Sequence, residues 1–247
     1  MRLPDPLTLK VRALRETIVF AGSQLQGKRE IQEDYFINYN DECFVIADGV
    51  GGLPNGQVAA KLASETALWG YKHIRQRPFY WRDKALLLRR IFRSTNLAVW
   101  QKRREDGFEA GLATTLVVAI VTPQKIWIGS VGDSSAYLYR DGLIDELTKA
   151  DVDESGMLTK VIGIERLGLV PTVATERFLP GDTLLLATDG VTHYISEDQI
   201  RATFEVIGDT AESVTNGVVH LLRTAEEQGS DDNMTACIIK HLRETEV

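Results

Sequence analysis

Apolar residues along this chain fall into short unbroken runs punctuated by polar turns. Runs of apolar or β-branched residues cover Thr17–Gly22, Phe44–Ala47, Ala113–Val121, Ile126–Val131, Ala136–Tyr139, Leu143–Leu147, Thr172–Phe178, Thr183–Ala187 and Thr235–Ile239. Their length and β-branching, with Gly, Pro or Asp at the ends, predict a strand for each. Asp141-Gly142, between "AYLYR" and "LIDEL", is a favoured two-residue hairpin turn because both positions tolerate positive φ. Pro123 turns the chain between "LVVAIV" and "KIWIGSV", so those runs should also pair antiparallel.

A helical period takes over elsewhere. Gln57–Tyr71 carries Val58, Leu62, Leu68 and Trp69 at helical spacing, and Lys84–Arg104 turns Leu87, Ile91, Leu97 and Trp100 toward a core. A last long helix is predicted from Asp209 or Thr210 to Glu227, with Glu212 placed to complete a capping box behind Asp209. Ser196 and Gln199 make a similar box for a short helix after Asp189. Between 147 and 169 the period disappears, which reads as a surface loop where substrate contacts tend to lie. No repeat, low-complexity tract or linker interrupts the pattern. The expectation is α+β: one domain of antiparallel sheets packed together, with helices outside.

Composition narrows the functions this scaffold can serve. The 247 residues carry a net charge of −7 with no basic block, which argues against a nucleic-acid partner needing clustered Lys and Arg. Cys43 and Cys237 each sit inside an apolar run and read as small buried hydrophobes, consistent with a reducing compartment. The N-terminus lacks the apolar core of a signal peptide. The longest apolar stretch, "LATTLVVAIV", is far short of the ~20 residues that span a bilayer. A soluble cytoplasmic protein with no membrane partner is expected.

The acidic residues concentrate where strands end. "CFVIADGVGG" closes on Asp48, "WIGSVGDSS" on Asp133 and "TLLLATDGV" on Asp189, while Asp231 and Asp232 open the run in "GSDDNMTACII". Any one of them alone is an ordinary turn residue. Gathered at one rim, such carboxylates repel and raise each other's pKa unless a cation stands between them. An all-oxygen set selects a hard ion, Mg²⁺ or Mn²⁺, and Gly49 lets the backbone approach closely enough for its carbonyl to join. Upstream, "GKREIQEDYF" adds Glu33 and Asp34, with Arg29 beside them. Arg29 has two readings: pairing with one of the acids, or gripping a phosphate bidentately. His193 reads as a packing or supporting residue. His73, His220 and His241 read as solvated, and Trp69, Trp81 and Trp100 as packing.

Arg29-x-x-Gln32-Glu33-Asp34, "ADGVGG", "GLATTLVVAIV", "GSVGDSS", "LLLATDGV" and "SDDNMTACII" follow one another in the order seen in the type 2C (PPM) metal-dependent serine/threonine protein phosphatases. The resemblance is to the bacterial type and covers about 17–240. It implies an antiparallel β-sandwich flanked by antiparallel α-helix pairs, with two Mn²⁺ or Mg²⁺ ions at one end. By this resemblance Asp48 bridges both metals, and the Gly49 carbonyl belongs to the second. Asp189 and Asp232 bind the first, Glu33 and Asp34 support the second, and Arg29 is the phosphate clamp. Asp133 resembles a ligand of a third, weaker site, and Asn233 a supporting residue. Implied partners are phosphorylated proteins, substrates of a serine/threonine kinase, and the implied state is a monomer. The implied reaction is direct attack of a metal-bridging water on the phosphoryl group, without a phosphoenzyme.

The chain departs from the pattern in four places. Val50 stands where many eukaryotic members have a histidine, Gln32 replaces an Asn, and Ser135 follows "GDS" where Arg is common. The flap, about 149–161, is short, with Asp151, Asp153 and Glu154 its only candidates for a further metal contact. Two rival readings share the fold: a catalytically silent regulatory module, and a two-metal phosphatase acting on small phosphate esters.

Overall fold

A computed structural model describes residues 10–11, 17–50, 55–108 and 111–243. The N-terminal stretch read for a signal sequence, the glycines Gly51 and Gly52 of "ADGVGG", and the Trp81 side chain lie outside what is described. Strands β1 (Lys10–Val11) and β2 (Ile18–Leu25) lead to β3 (Tyr35–Tyr39) and β4 (Cys43–Ala47). Three helices follow, α1 (Gly56–Ile74), α2 (Pro78–Arg82) and α3 (Lys84–Lys102). Next come β5 (Leu116–Val121), β6 (Lys125–Val131), β7 (Ser135–Arg140), β8 (Leu143–Glu146), β9 (Thr172–Arg177) and β10 (Thr183–Ala187). The chain closes with α4 (Asp189–Thr192), α5 (Glu197–Val206), α6 (Ala211–Glu227) and β11 (Met234–His241).

The strands form two antiparallel sheets, one ordered β1-β2-β11-β10-β7-β8 and the other β3-β4-β5-β6-β9. Between them lies an apolar layer built from alternate residues: Phe20, Phe44, Ile46, Val117, Leu184, Leu186 and Ile239 among others. The opposite faces are also covered. Val45, Val118 and Ile120 pack beneath α1 and α3, while Leu185, Ala236 and Ile238 pack beneath α5 and α6. This four-layer arrangement is why "LVVAIV" and "TLLLA" are buried at every position and carry no alternation. The β-sandwich with flanking helices expected from the sequence is the fold observed.

Local chemistry sets the connections. Asp141 and Gly142 adopt φ of 50° and 82°, turning β7 into β8 as the Asp-Gly pair requires. Ser196 and Gln199 form the full capping box on α5. The box expected behind Asp209 does not form: Thr210 caps α6 by accepting from the Ser213 amide. Asp209 instead lies 3.5 Å from the buried Lys240 ammonium, and a desolvated cation outcompetes a solvated amide for that carboxylate. Two further expectations fail for lack of a partner surface or by gaining one. Trp69 is 59% exposed and stacks on His73 rather than entering the core. His241 is buried against Phe178 rather than solvated. Cys43 and Cys237 are free and buried, as expected. Among the described residues no helix is long and apolar enough to cross a membrane.

Candidate active site

Both sheets deliver acids to the same end of the sandwich. β4 runs into Asp48, whose amide donates to Thr115 Oγ1 at 3.0 Å and whose carbonyl accepts from the Thr115 amide at 2.8 Å and Thr114 Oγ1 at 2.6 Å. The strand end is therefore fixed by its β5 neighbour. β10 runs through Thr188 into Asp189, which opens α4. Asp232 precedes β11, and Gly190 and Asn233 approach so closely that a Cβ on Gly190 would come 2.0 Å from the Asn233 carbonyl oxygen. Gly49 is equally constrained, since a Cβ there would meet Gly56 of α1 at 2.4 Å.

Side chains rather than strands hold the loop between β2 and β3. Asn233 accepts from the Glu33 amide and donates to the Gln26 carbonyl, both at 2.8 Å. It thereby ties the Arg29 loop to the start of β11, as a supporting residue would. Arg29 Nη2 sits 2.7 Å from Asp232 Oδ2 at the exposed rim, the pairing reading of this arginine. Asp34 lies below the rim with its Oδ2 accepting from Thr235 Oγ1 at 2.6 Å and Thr188 Oγ1 at 2.8 Å. These threonines, with Thr115, escaped the sequence reading. For Thr188 and Thr235 the available signal was position, beside Asp189 and three residues after Asp232; Thr115 has no acid near it in sequence.

Arg29, Glu33, Asp48, Asp133, Asp189 and Asp232 line one cavity of about 160 Å³, with Gly49, Val50 and the flap residue Leu158 at its edge. Asp34 is buried beneath it, close enough to be perturbed by Asp189 and Asp232. Burial raises the Asp34 carboxyl to about 7 against the lowering effect of its two threonine bonds, with Asp189 and Asp232 adding to the rise. Burial, then Asp34 and Asp189, push Asp48 well above the usual range. Burial and Asp189 raise Asp133 to about 6. Glu33 is raised by burial, with Arg29 opposing.

This electrostatic conflict is the fit test for a cation. Oδ1 of Asp34, of Asp133 and of Asp189 are buried without any hydrogen-bond partner, and buried carboxylate oxygens are normally satisfied. Six carboxylates against one guanidinium, all oxygen donors, suit a hard divalent ion. Among the described residues no three acidic, His or Cys groups are already closed into a ligand set, and Asp232 is paired with Arg29. The flap acids are placed differently. Asp151 is paired with Lys160 at 2.6 Å and accepts from the Gly132 amide, while Asp153 accepts from the Ser155 and Met157 amides of its own loop.

A pH dependence follows. Raised carboxyl pKa values mean that the folded metal-free chain holds protons the unfolded chain releases near pH 4, so stability declines as pH rises through the folded values. Between about pH 5 and pH 7.5 the unfolding midpoint in chelator should fall, and the increment produced by Mn²⁺ should widen. Thermal melts across this interval check it; a metal-free midpoint that rises would contradict the assignment.

The molecule is an α/β/β/α sandwich with a multi-carboxylate pocket, suited to hard divalent ions, at one end of its sheets. The profile of the family Protein phosphatase 2C matches residues 22–236, and the chain belongs to that family. It is 25% identical over 256 residues to a putative protein phosphatase of Mycoplasma genitalium, covering 89% of this chain and 94% of that protein. It is 24% identical to the serine/threonine phosphatase stp of Listeria monocytogenes, covering 81% and 85%. The catalytic domain of the serine/threonine protein phosphatase PstP, solved with two manganese ions, superposes with a TM-score of 0.76 at 23% identity, covering 92% of this chain and 99% of that one.

Proposed function

We propose that this chain, acting as one catalytic domain, removes phosphate from phosphoserine and phosphothreonine in proteins with the help of two Mn²⁺ or Mg²⁺ ions. The observation that carries the reading is the convergence of Asp48, Asp189, Asp232 and Glu33 on one cavity, with unpartnered carboxylate oxygens around it. Asp48, the Gly49 carbonyl, Asp189, Asp232 and Glu33 would hold the ions, with Asp34 as a neutralisable support below. Asp133 would be the only one of these acids left for a third ion, since its flap neighbour Asp151 is engaged by Lys160. Bound divalent ions supply a water of lowered pKa and offset charge on the phosphoryl oxygens.

The chain's own residues do the positioning. Arg29 stands half-exposed at the mouth, and its planar fork matches two phosphoryl oxygens once Asp232 is neutralised from within. Asn233 sets the height of that loop through Gln26 and Glu33. Leu158 closes one side of the cavity against solvent. Val50 lines the pocket and offers no titratable group, so it is not the proton donor to the leaving alkoxide. The cavity is small beside the ~300–1,000 Å³ of sites that enclose a whole ligand. A phosphoryl group fits and the rest of the substrate lies outside, as a phosphorylated side chain on a protein surface would. The names borne by the relatives point the same way.

Phosphate release from a phosphothreonine peptide should fall below about 1% on chelation and return with Mn²⁺. Nucleoside phosphates should turn over more slowly than the peptide. Chelator-resistant release, or faster hydrolysis of nucleotides, would defeat the proposal.

A further inference from the structure

A second cavity lies at the other end of the five-stranded sheet. β5 starts beside Asp48, where Thr115 bonds it, and ends where the Val121 amide donates to the Glu42 carbonyl. The two cavities are therefore separated by a six-residue strand, roughly 20 Å. At about 470 Å³ this second cavity is larger than the acidic one and within the ~300–1,000 Å³ range of small-molecule sites.

Its lining is divided by chemistry. Ile120, Trp127 and Tyr71 give an apolar floor. Arg75 at the C-terminal cap of α1 and Lys84 at the first position of α3 form a cationic wall, with Lys125 at the mouth. Glu42 is the acid among the described lining residues, and it is engaged, accepting from Tyr71 Oη and Arg75 Nη1, both at 2.9 Å. The Arg75 guanidinium lies 5.1 Å and 5.5 Å from the ring centroids of Tyr39 and Tyr71. It is thus held in place, while its Nε has no hydrogen-bond partner. Burial lowers the pKa of the Lys84 ammonium and Arg75 lowers it further, with Glu42 opposing. Two cations against one acid leave the wall net positive, the sign that receives an anion.

We propose that this cavity binds a small organic anion, its acid group meeting Arg75 and Lys84 and its apolar body lying on Trp127 and Ile120. Nothing in the acidic pocket is needed for this, so it stands or falls independently of the catalytic reading. The test uses the full chain and the indole N–H signal of Trp127 in ¹H–¹⁵N spectra, assigned with Trp127→Phe. Titrants are 1-naphthoate, 1-naphthylphosphonate and the neutral 1-naphthalenemethanol. Both anions should move the signal saturably, and the alcohol should need at least about tenfold higher concentration. Lys84→Gln should weaken the anions about tenfold and leave the alcohol unchanged. The tighter anion identifies the head group as carboxylate or phosphate. Should Arg75→Gln fail to fold, Lys84→Gln alone decides, because Lys84 is only partly buried at the first position of α3. No saturable movement, equal response to the alcohol, or indifference to Lys84→Gln overturns the proposal.

Discussion

Asp189→Asn is expected to give a folded protein whose kcat/KM on a phosphothreonine peptide falls on the order of 10³-fold or more, about 4 kcal/mol of transition-state stabilisation. Asparagine keeps the size and shape of aspartate and can still head α4. What it loses is the carboxylate charge, whose Oδ1 has no hydrogen-bond partner and whose Oδ2 lies 3.7 Å from the exposed His193 ring. That charge closes no hydrogen bond within the fold, so its loss should not destabilise. The opposite is expected. Asp189 raises the pKa of Asp48 and of Asp133, so neutralising it relieves repulsion in the metal-free state. In chelator the variant should therefore melt above the parent chain. The gain is offset in part by the ~0.3–1 kcal/mol that an acid contributes at a helix start. In Mn²⁺ the order should reverse, because the variant forfeits much of the stabilisation that an ion gives by binding only the folded state. A variant within tenfold of full activity, or one less stable without metal, would show that Asp189 is a structural residue.

This crossed pattern separates a site residue from a merely important one. A core substitution lowers stability with and without metal. A site carboxylate trades one against the other, as expected where like charges are stored for function.

Much of this was legible in the chain, and the failures share a cause. The acids could be placed because each ends or begins an apolar run, and a run of that length has one possible rim. The run "LVVAIV" reads as a strand through its β-branched residues, and "TLLLA" as one because it is a short apolar run bounded by Gly181-Asp182 and Asp189-Gly190. β3 is not among the predicted runs: "YFINY" follows the acids Glu33 and Asp34, and Asn38 interrupts its apolar positions. Asp34, expected as a support for the second metal, is buried beneath the cavity, held by Thr188 just after β10 and by Thr235 of β11. Nothing local to Asp34 encodes those partners. Trp69 and His241 were misplaced for the same reason, since which face of an element is covered depends on what packs there. The Asp209 cap gave way to Lys240 from the far end of the chain. Local rules held where the competing partner was water and lost where it was a buried charge.

The sandwich itself makes the second large prediction. Phe44→Ala should cost about 3–5 kcal/mol of folding stability. Phe44 is fully buried between the sheets, its ring 4.9 Å from that of Phe20 across the layer at 76°, an edge-to-face contact. Both residues sit mid-strand with neighbours hydrogen-bonded on each side, Phe44 to Asn38 and Ala119. The sheets therefore cannot close over the cavity left behind, which places the cost toward the upper end. Set against a total stability of ~5–15 kcal/mol, the loss should lower the melting midpoint by about 10 °C, at ~2–4 °C per kcal/mol for a domain this size. Trp69→Ala removes a larger ring but an exposed one, and should cost within ~0.5 kcal/mol. Because Phe44 lies in the strand that ends at Asp48, the surviving folded fraction should keep its specific activity with Mn²⁺: the Thr114 and Thr115 bonds to Asp48 do not pass through the Phe44 side chain. Denaturant titrations of the two variants side by side decide the matter. Equal costs for Phe44→Ala and Trp69→Ala would mean that the layer between the sheets does not carry the fold.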